Sequence, residues 1–362
     1  MSRMLQAACA ILVSMLWFPA QLAAQQPSAP AAIRVVDIPI ANYTPLLVAR
    51  DKGYFAEENL SVTWSPVAQG AVAIEAVFGG SAEVGGSAVF ETMMARGNGL
   101  DLMFLASGVH INTAPPDNSA LLVRADDSIR APADLAGKRI SAGLVNSINY
   151  VHMQEWLQKK GVDAGKIEFL EIPFPQMADA LFQKRIDAVW NVEPFVTFMT
   201  KSGKARILAY PYLDTIPGMD VANYFAKESW IKANPDLARR FRRAIDRATQ
   251  FMADAAKEER DDWVAKFTGM KPEVAKEVTL PVFSTAFNVA SLQANLDLGR
   301  ACHLPEECIN VAQSRIMVDL AVRGGAIAGE DDVVVAQKRL ARGGLHAHIG
   351  RNSGHHHRAD IL

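Results

Sequence analysis

Cysteine is scarce in this chain, with three among 362 residues, and no cysteine-rich metal motif can be assembled from them. An excess of one charge is missing as well: 37 Lys and Arg against 39 Asp and Glu leave a formal net charge of −2. Nucleic-acid binding would show as a basic patch or stripe, so that class of partner is excluded. The apolar run at residues 7–18 falls short of the roughly 20 apolar residues that cross a bilayer, and Pro19 follows it directly. The signatures of catalysis are absent too. There is no GxSxG elbow, no HExxH pair and no GxxxxGK[ST] loop, the patterns that would announce a hydrolase, a zinc protease or a nucleotide site. No catalytic residue, metal or cofactor is expected, and no repeat at a period of roughly 20 to 50 residues suggests a solenoid.

What is present begins with an export signal. Arg3 gives a positive start, residues 7–18 an apolar stretch, and residues 19–24 end in small side chains, the layout of a cleavable signal peptide over 1–24. Cleavage after Ala24 is imperfect because Leu22 is bulky, and 25–32, rich in Gln, Pro and Ala, reads as a flexible lead-in. Cys9 departs with the signal. Cys302 and Cys308 remain, closing the short loop CHLPEEC; in an oxidising compartment they are a candidate disulfide, with two free thiols as the alternative. At the far end, 343–362 crowds Gly and His, including His355, His356 and His357, and is expected to be a disordered tail with only a compositional metal signal.

Between these ends short β-type runs alternate with helical segments, the pattern of an α/β fold with mainly parallel sheets. Strands are expected at 33–37, 60–64, 102–109, 119–123, 139–142, 167–171, 188–190, 206–210 and 221–226. Helices are expected at 44–52 and 71–78, each stopped by glycine, and from Asn234-Pro235, where Leu237, Phe241, Ile245, Ala248 and Met252 share one face. Arg239, Arg240, Arg242 and Arg243 lie opposite that face and read as solvated surface. So do Asp51, Glu57 and Glu58, while His110 and His152 are single histidines without a partner visible in sequence.

Site candidates come from strand ends. In open α/β sheets ligands lie beyond the carboxyl ends of strands, where helix N-termini offer unpaired N–H groups. The loops in question hold Ala41, Asn42, Tyr43 and Thr44; Gln69 and Gly70; Ser87 and Ala88; Val145, Asn146, Ser147, Ile148 and Asn149; and Asn191, Val192 and Glu193-Pro194.

The ordered runs NYTPLLVARDKGYFAEENLSV, VAQGAVAIEAVFGGSAEVGGSA, DLAGKRISAG and ALFQKRIDAVWNVEPF resemble the nitrate, sulfonate, taurine and thiamine-precursor (NMT1-like) group of ABC-transporter substrate-binding proteins. The resemblance covers about 33–230 and implies a type II periplasmic-binding-protein fold: two α/β lobes, two crossing hinge segments and a solute in the cleft. Lobe 1 would be 33–120 with 222–342 and lobe 2 would be 121–221, with 119–123 and 220–226 as crossings. By family position the ligand would meet Asn42, Tyr43, Thr44, Gln69, Gly70, Ser87, Asn146, Ser147, Ile148, Trp190, Asn191, Glu193 and Asn223. Thr44 and its neighbours are equally suited to helix capping, and Trp190 to the core. The helix after Ile148, expected over 150–158, would hold an anion or polar head on its N–H groups. No arginine falls in these loops, which disfavours a small oxyanion. The implied protein is a monomeric, non-enzymatic periplasmic binding component that passes a small organic solute, whether a sulfonate, a heteroaromatic or a related compound, to an inner-membrane permease. An exported sensory domain and a thiamine-pyrimidine synthase of the same superfamily are the alternatives.

Overall fold

A computed structural model describes residues 29–301. The signal region, Cys302, Cys308 and the histidine-rich tail lie outside the described residues.

Eleven strands are described: β1 (Ala31–Asp37), β2 (Leu60–Pro66), β3 (Val84–Ala88), β4 (Met103–His110), β5 (Ser119–Arg124), β6 (Arg139–Ser141), β7 (Glu168–Phe169), β8 (Ala188–Val192), β9 (Ala205–Ala209), β10 (Asp220–Ala226) and β11 (Val282–Phe283). They form two sheets, ordered β11-β4-β10-β3-β1-β2 and β7-β6-β8-β5-β9. Lobe 1 is built on the first and lobe 2 on the second.

Neither sheet is purely parallel. β1 runs parallel to β2 and β3, but β10 is antiparallel to β3 and β4; in lobe 2, β6 is parallel to β7 and β8, but β5 is antiparallel to β8 and β9. β11 is antiparallel to β4 as well, but β5 and β10 are the reversed strands that arrive from the other lobe. Ser119 at the start of β5 pairs with Val192 at the end of β8, and Asp220 at the start of β10 pairs with His110 at the end of β4. The chain therefore enters each sheet from the cleft side and must run against its neighbours. The segments expected as hinges, 119–123 and 220–226, are thus inner strands; the chain passes between lobes just before them, through 111–118 and 210–219.

Hydrophobic patterning misses two strands, the two-residue β11 and β3. The Val-Gly-Gly-Ser-Ala sequence of β3 has little β-propensity, yet a Cβ at Gly86 would lie 2.6 Å from Asp37 Cβ and 2.7 Å from Tyr43 Cε1. The close approach of β1 and of the segment after it requires glycine there. The helix Pro235–Asp254 buries Phe241, Ile245, Ala248 and Met252 as its spacing implies, with Phe241 stacked on Phe55 at 5.5 Å. Asn234 does not cap it by side chain; its Nδ2 donates to Trp230 O instead. The arginines of the outer face pair with acids, Arg239 and Arg240 with Asp236, Arg242 with Asp246, and Arg243 with Glu58.

Candidate functional site

The strand ends of both lobes converge on one cavity. Lobe 1 contributes Ile38 and Ile40 from the turn after β1, Asn42 and Tyr43 from the 3-10 turn Ala41–Tyr43, Gln69 and Gly70 ahead of the helix Gly70–Gly79, and Glu91 in the helix Val89–Gly97. Lobe 2 contributes Gly143 and Leu144, then Ser147, Ile148 and Asn149 at the start of the helix Ile148–Lys159, with Phe174, Val192 and Tyr212. The cavity measures about 70 Å³, where one water needs roughly 10–15 Å³, so the space suits a small solute. Among its lining residues Glu91 is the only Asp, Glu, Lys, Arg or His.

Several bonds hold the lobes against each other around this space. Asn118 Nδ2, in the first crossing, donates to Asn42 Oδ1 at 2.8 Å. The N–H of Ala41 donates to the carbonyl of Glu193 at 3.2 Å. The N–H of Ile148 donates to Glu91 Oε1, also at 3.2 Å. His152 Nε2 lies 2.9 Å from Asn295 Oδ1, joining the lobe 2 helix to the helix Val289–Ala301.

Of the thirteen residues expected to meet the ligand, six line the cavity: Asn42, Tyr43, Gln69, Gly70, Ser147 and Ile148. Tyr43 is buried, edge-on to Tyr224 at 5.5 Å. Gly70 is required because a Cβ there would stand 2.2 Å from Ser87 Oγ. Ser147 is the N-cap of its helix, accepting from Tyr150 N at 3.3 Å. The helix starts at Ile148, two residues earlier than its apolar pattern indicates.

The other seven expected residues stand behind or outside the wall. Thr44 is fully buried at the first position of the helix Thr44–Asp51 and does not cap it; its Oγ1 donates back to Ala41 O. Ser87 sits beneath Gly70. Asn223 is buried, with Nδ2 donating to Ser87 O and Thr92 Oγ1, and so ties β10 to β3. Trp190 is core, packed on Tyr212 with ring centroids 4.4 Å apart. Asn191 Nδ2 donates to Phe174 O, which places that lining ring. Glu193 accepts from the N–H and hydroxyl of Thr197 and from the N–H of Thr279. Asn146 is exposed, at φ +65° in the turn.

Sequence reasoning passed over Glu91, Phe174 and Tyr212, and placed Asn149 in a candidate loop without giving it a ligand contact. Tyr212 is held between His152 and Trp190 and donates its hydroxyl to Asn149 Oδ1 at 2.9 Å. Asn149 Nδ2 and Glu91 Oε2 are out of solvent and have no hydrogen-bond partner among the described residues. Burial pushes the Glu91 and Glu193 carboxyls up to about 7 against the hydrogen bonds each accepts, and lowers His152 to about 4, so its imidazole is neutral at pH 7. The one available signal for Glu91 was its place on the first turn of a helix that opens straight from a strand end at Ala88.

Among known proteins, the putative binding protein YtlA of Bacillus subtilis is 24% identical over 247 residues, 61% of this chain and 68% of YtlA. The 4-amino-5-hydroxymethyl-2-methylpyrimidine phosphate synthase THI11 of Saccharomyces cerevisiae is 21% identical over 261 residues, 69% of this chain and 73% of that enzyme. In structure, the alkanesulfonate-binding protein SsuA of Xanthomonas axonopodis pv. citri, bound to MOPS, superposes with a TM-score of 0.67 at 21% identity, covering 79% of this chain and 98% of SsuA. The two-lobed architecture is the type II periplasmic-binding-protein fold, as the resemblance implied. A profile of the family described as NMT1/THI5 like matches residues 40–259, more than half of the chain, and the protein belongs to that family.

Proposed function

We propose that this chain is the exported solute-binding component of an ABC import system. It captures a small organic molecule in the cleft and delivers it, as a monomer in the periplasm, to an inner-membrane permease. The observation that carries this reading is a cavity walled by strand-end loops of both lobes: such a space exists only when the lobes meet, so occupancy and closure are one event that a permease can read. Asn42, Tyr43, Gln69, Gly70, Ser147 and Ile148 form its walls in this proposal, with Glu91, Asn149, Phe174 and Tyr212 added. Export rests on residues 1–24, and none of the described helices is long and apolar enough to cross a membrane.

The synthase relatives raise a second reading, in which the cleft performs chemistry. An enzyme needs a nucleophile with its base, paired carboxylates or a metal-ligand cluster at the reacting atoms. No histidine, cysteine or lysine lines this cavity. His110 Nε2 lies 3.0 Å from both Asp220 Oδ1 and Ala286 O, and His152 is held by Thr215 and Asn295. The lining favours binding over turnover. Native mass spectrometry of the mature protein tests this: a retained small molecule released intact on unfolding supports capture, whereas conversion of that molecule during incubation with the protein would establish the enzyme.

A further inference from the structure

A helix N-terminus facing a cleft is a natural anion seat, because its first N–H groups are unpaired and its dipole favours negative charge. In this protein that seat already has an occupant from the opposite lobe. The carboxylate of Glu91, on the lobe 1 helix Val89–Gly97, accepts the N–H of Ile148, the first residue of the 12-residue helix Ile148–Lys159 of lobe 2, at 3.2 Å. Its second oxygen, Oε2, is out of solvent and unpartnered among the described residues. One residue further along, Asn149 is 4% exposed and lines the same cavity with its Nδ2 unpartnered. The rest of the wall combines apolar side chains such as Ile38, Ile40, Leu144 and Val192 with the uncharged polar Gln69 and Ser147, and it holds no lysine, arginine or histidine.

We propose that Glu91 is a built-in acidic acceptor that sets the ligand class: the cleft takes a small organic solute with an apolar body and a nitrogen-borne donor, an ammonium or amidinium group, which seats on Glu91 Oε2 and holds it in the carboxylate form, and rejects oxyanions. An incoming oxyanion would find its helix terminus taken and an acidic side chain beside it, with no guanidinium or ammonium in the wall to offset the repulsion between like charges at close range. A donating nitrogen completes the bonding of an oxygen that is otherwise buried without a partner, a state costly to maintain. Asn149 Nδ2 donates to an acceptor on the same ligand, which gives the group an orientation. Because Glu91 and Ile148 belong to different lobes, a ligand on Glu91 sits beside a contact that forms only on closure.

This inference rests on the solute-binding reading, and the experiment separates the two. Thermal shift and calorimetry with benzamidine, benzylamine, benzyl alcohol and benzenesulfonate, which share an aromatic body and differ in head group, are run on wild type and Glu91→Gln, alongside mass spectrometry of any solute retained through purification. Wild type is expected to prefer the two cations over benzenesulfonate by at least tenfold, and Glu91→Gln to lose that preference. Because Gln is isosteric with Glu and removes a buried charge, the variant is expected to fold; if it does not, wild-type selectivity decides. A retained basic nitrogen compound supports the inference. Tighter binding of benzenesulfonate, or a retained oxyanion, would overturn it and leave the solute-binding reading intact. No retained solute and no shift with any probe would overturn both.

Discussion

The side chain of Glu193 joins the two lobes: its Oε1 accepts the N–H of Thr279, in lobe 1, at 3.2 Å, while the same carboxylate accepts the N–H and hydroxyl of Thr197 at the start of the helix Phe195–Lys201 in lobe 2. Its backbone carbonyl accepts from Ala41 N as well. A Glu-Pro pair at the end of a cleft strand reads in sequence as a lining element. In the fold it is the bracket behind the lining.

Glu193→Ala is therefore expected to act on stability. It strands three donors, two of them backbone N–H groups, at a site that is 2% exposed. The loss should fall in the range of about 2–5 kcal/mol, read as a lower urea midpoint, with affinity per folded molecule falling less than tenfold. A variant with wild-type stability and abolished binding would instead place Glu193 against the solute.

The buried ionisable groups give stability a pH dependence of calculable sign. His152 titrates at about 4 in the fold against 6.5 when free, so the unfolded chain takes up a proton that the native state refuses, and acidification costs stability between those values. Glu91 and Glu193, at about 7 against 4.5, work the other way: the native state holds protons that the unfolded chain releases, so stability is full below 4.5 and is lost as pH rises through 7. The His152 contribution is lost to the extent of about 2 kcal/mol between pH 7 and pH 5. His152→Gln is expected to show stability rising more steeply on acidification than wild type by that amount. Denaturant titrations at pH 5, 6 and 7 measure it, and an unchanged slope would mean that His152 is solvated in solution.

Gly70→Ala places a methyl group 2.2 Å from Ser87 Oγ and 3.1 Å from Ser87 Cβ. Ser87 is fully buried and its hydroxyl has no partner among the described residues to hold it in place, but the strand beneath cannot retreat. We expect a cost of about 1–3 kcal/mol together with weaker solute binding, since Gly70 is part of the wall. Combining it with Ser87→Ala removes the nearest atom and should recover part of both losses. No recovery in the double variant would mean that the helix Gly70–Gly79, not Ser87, resists the methyl.

How much of this was legible in the sequence depends on the range of the interaction. Alternating and helical periodicity located nine of the eleven strands and the long amphipathic helix, because burial on one face leaves a mark every two or every three to four residues. β3 escaped because its glycines answer to Asp37, Tyr43 and Phe225 across the sheet, contacts that no local pattern records. The direction of β5 and β10 escaped for the same reason, being decided by which lobe the chain has just left. In the site, loops after strands were readable as candidates. Glu91 and Tyr212 were not, since one becomes a cleft residue by reaching the N-terminus of a helix 57 positions on and the other by lying on a crossing.

Asn146 and Asn149 belong to one candidate loop, yet only the second reaches the cavity. Asn146 is exposed, holds φ at +65° and does not line the cavity; Asn149, three residues on, is buried, lines the cavity and has an amide nitrogen without a partner among the described residues. Asn tolerates the left-handed region better than other non-glycine residues, and glycine better still. Asn146→Gly is thus expected to be neutral or mildly stabilising, Asn146→Ala to cost up to about 1 kcal/mol, and neither to change affinity by more than twofold. Asn149→Ala removes the acceptor of the Tyr212 hydroxyl and the free donor together. It should lower unliganded stability by about 1 kcal/mol and weaken solute binding at least tenfold. Calorimetry on the solute recovered from purified protein separates the two positions: equal losses at both would mean that the turn before the helix, and not its first residues, meets the ligand.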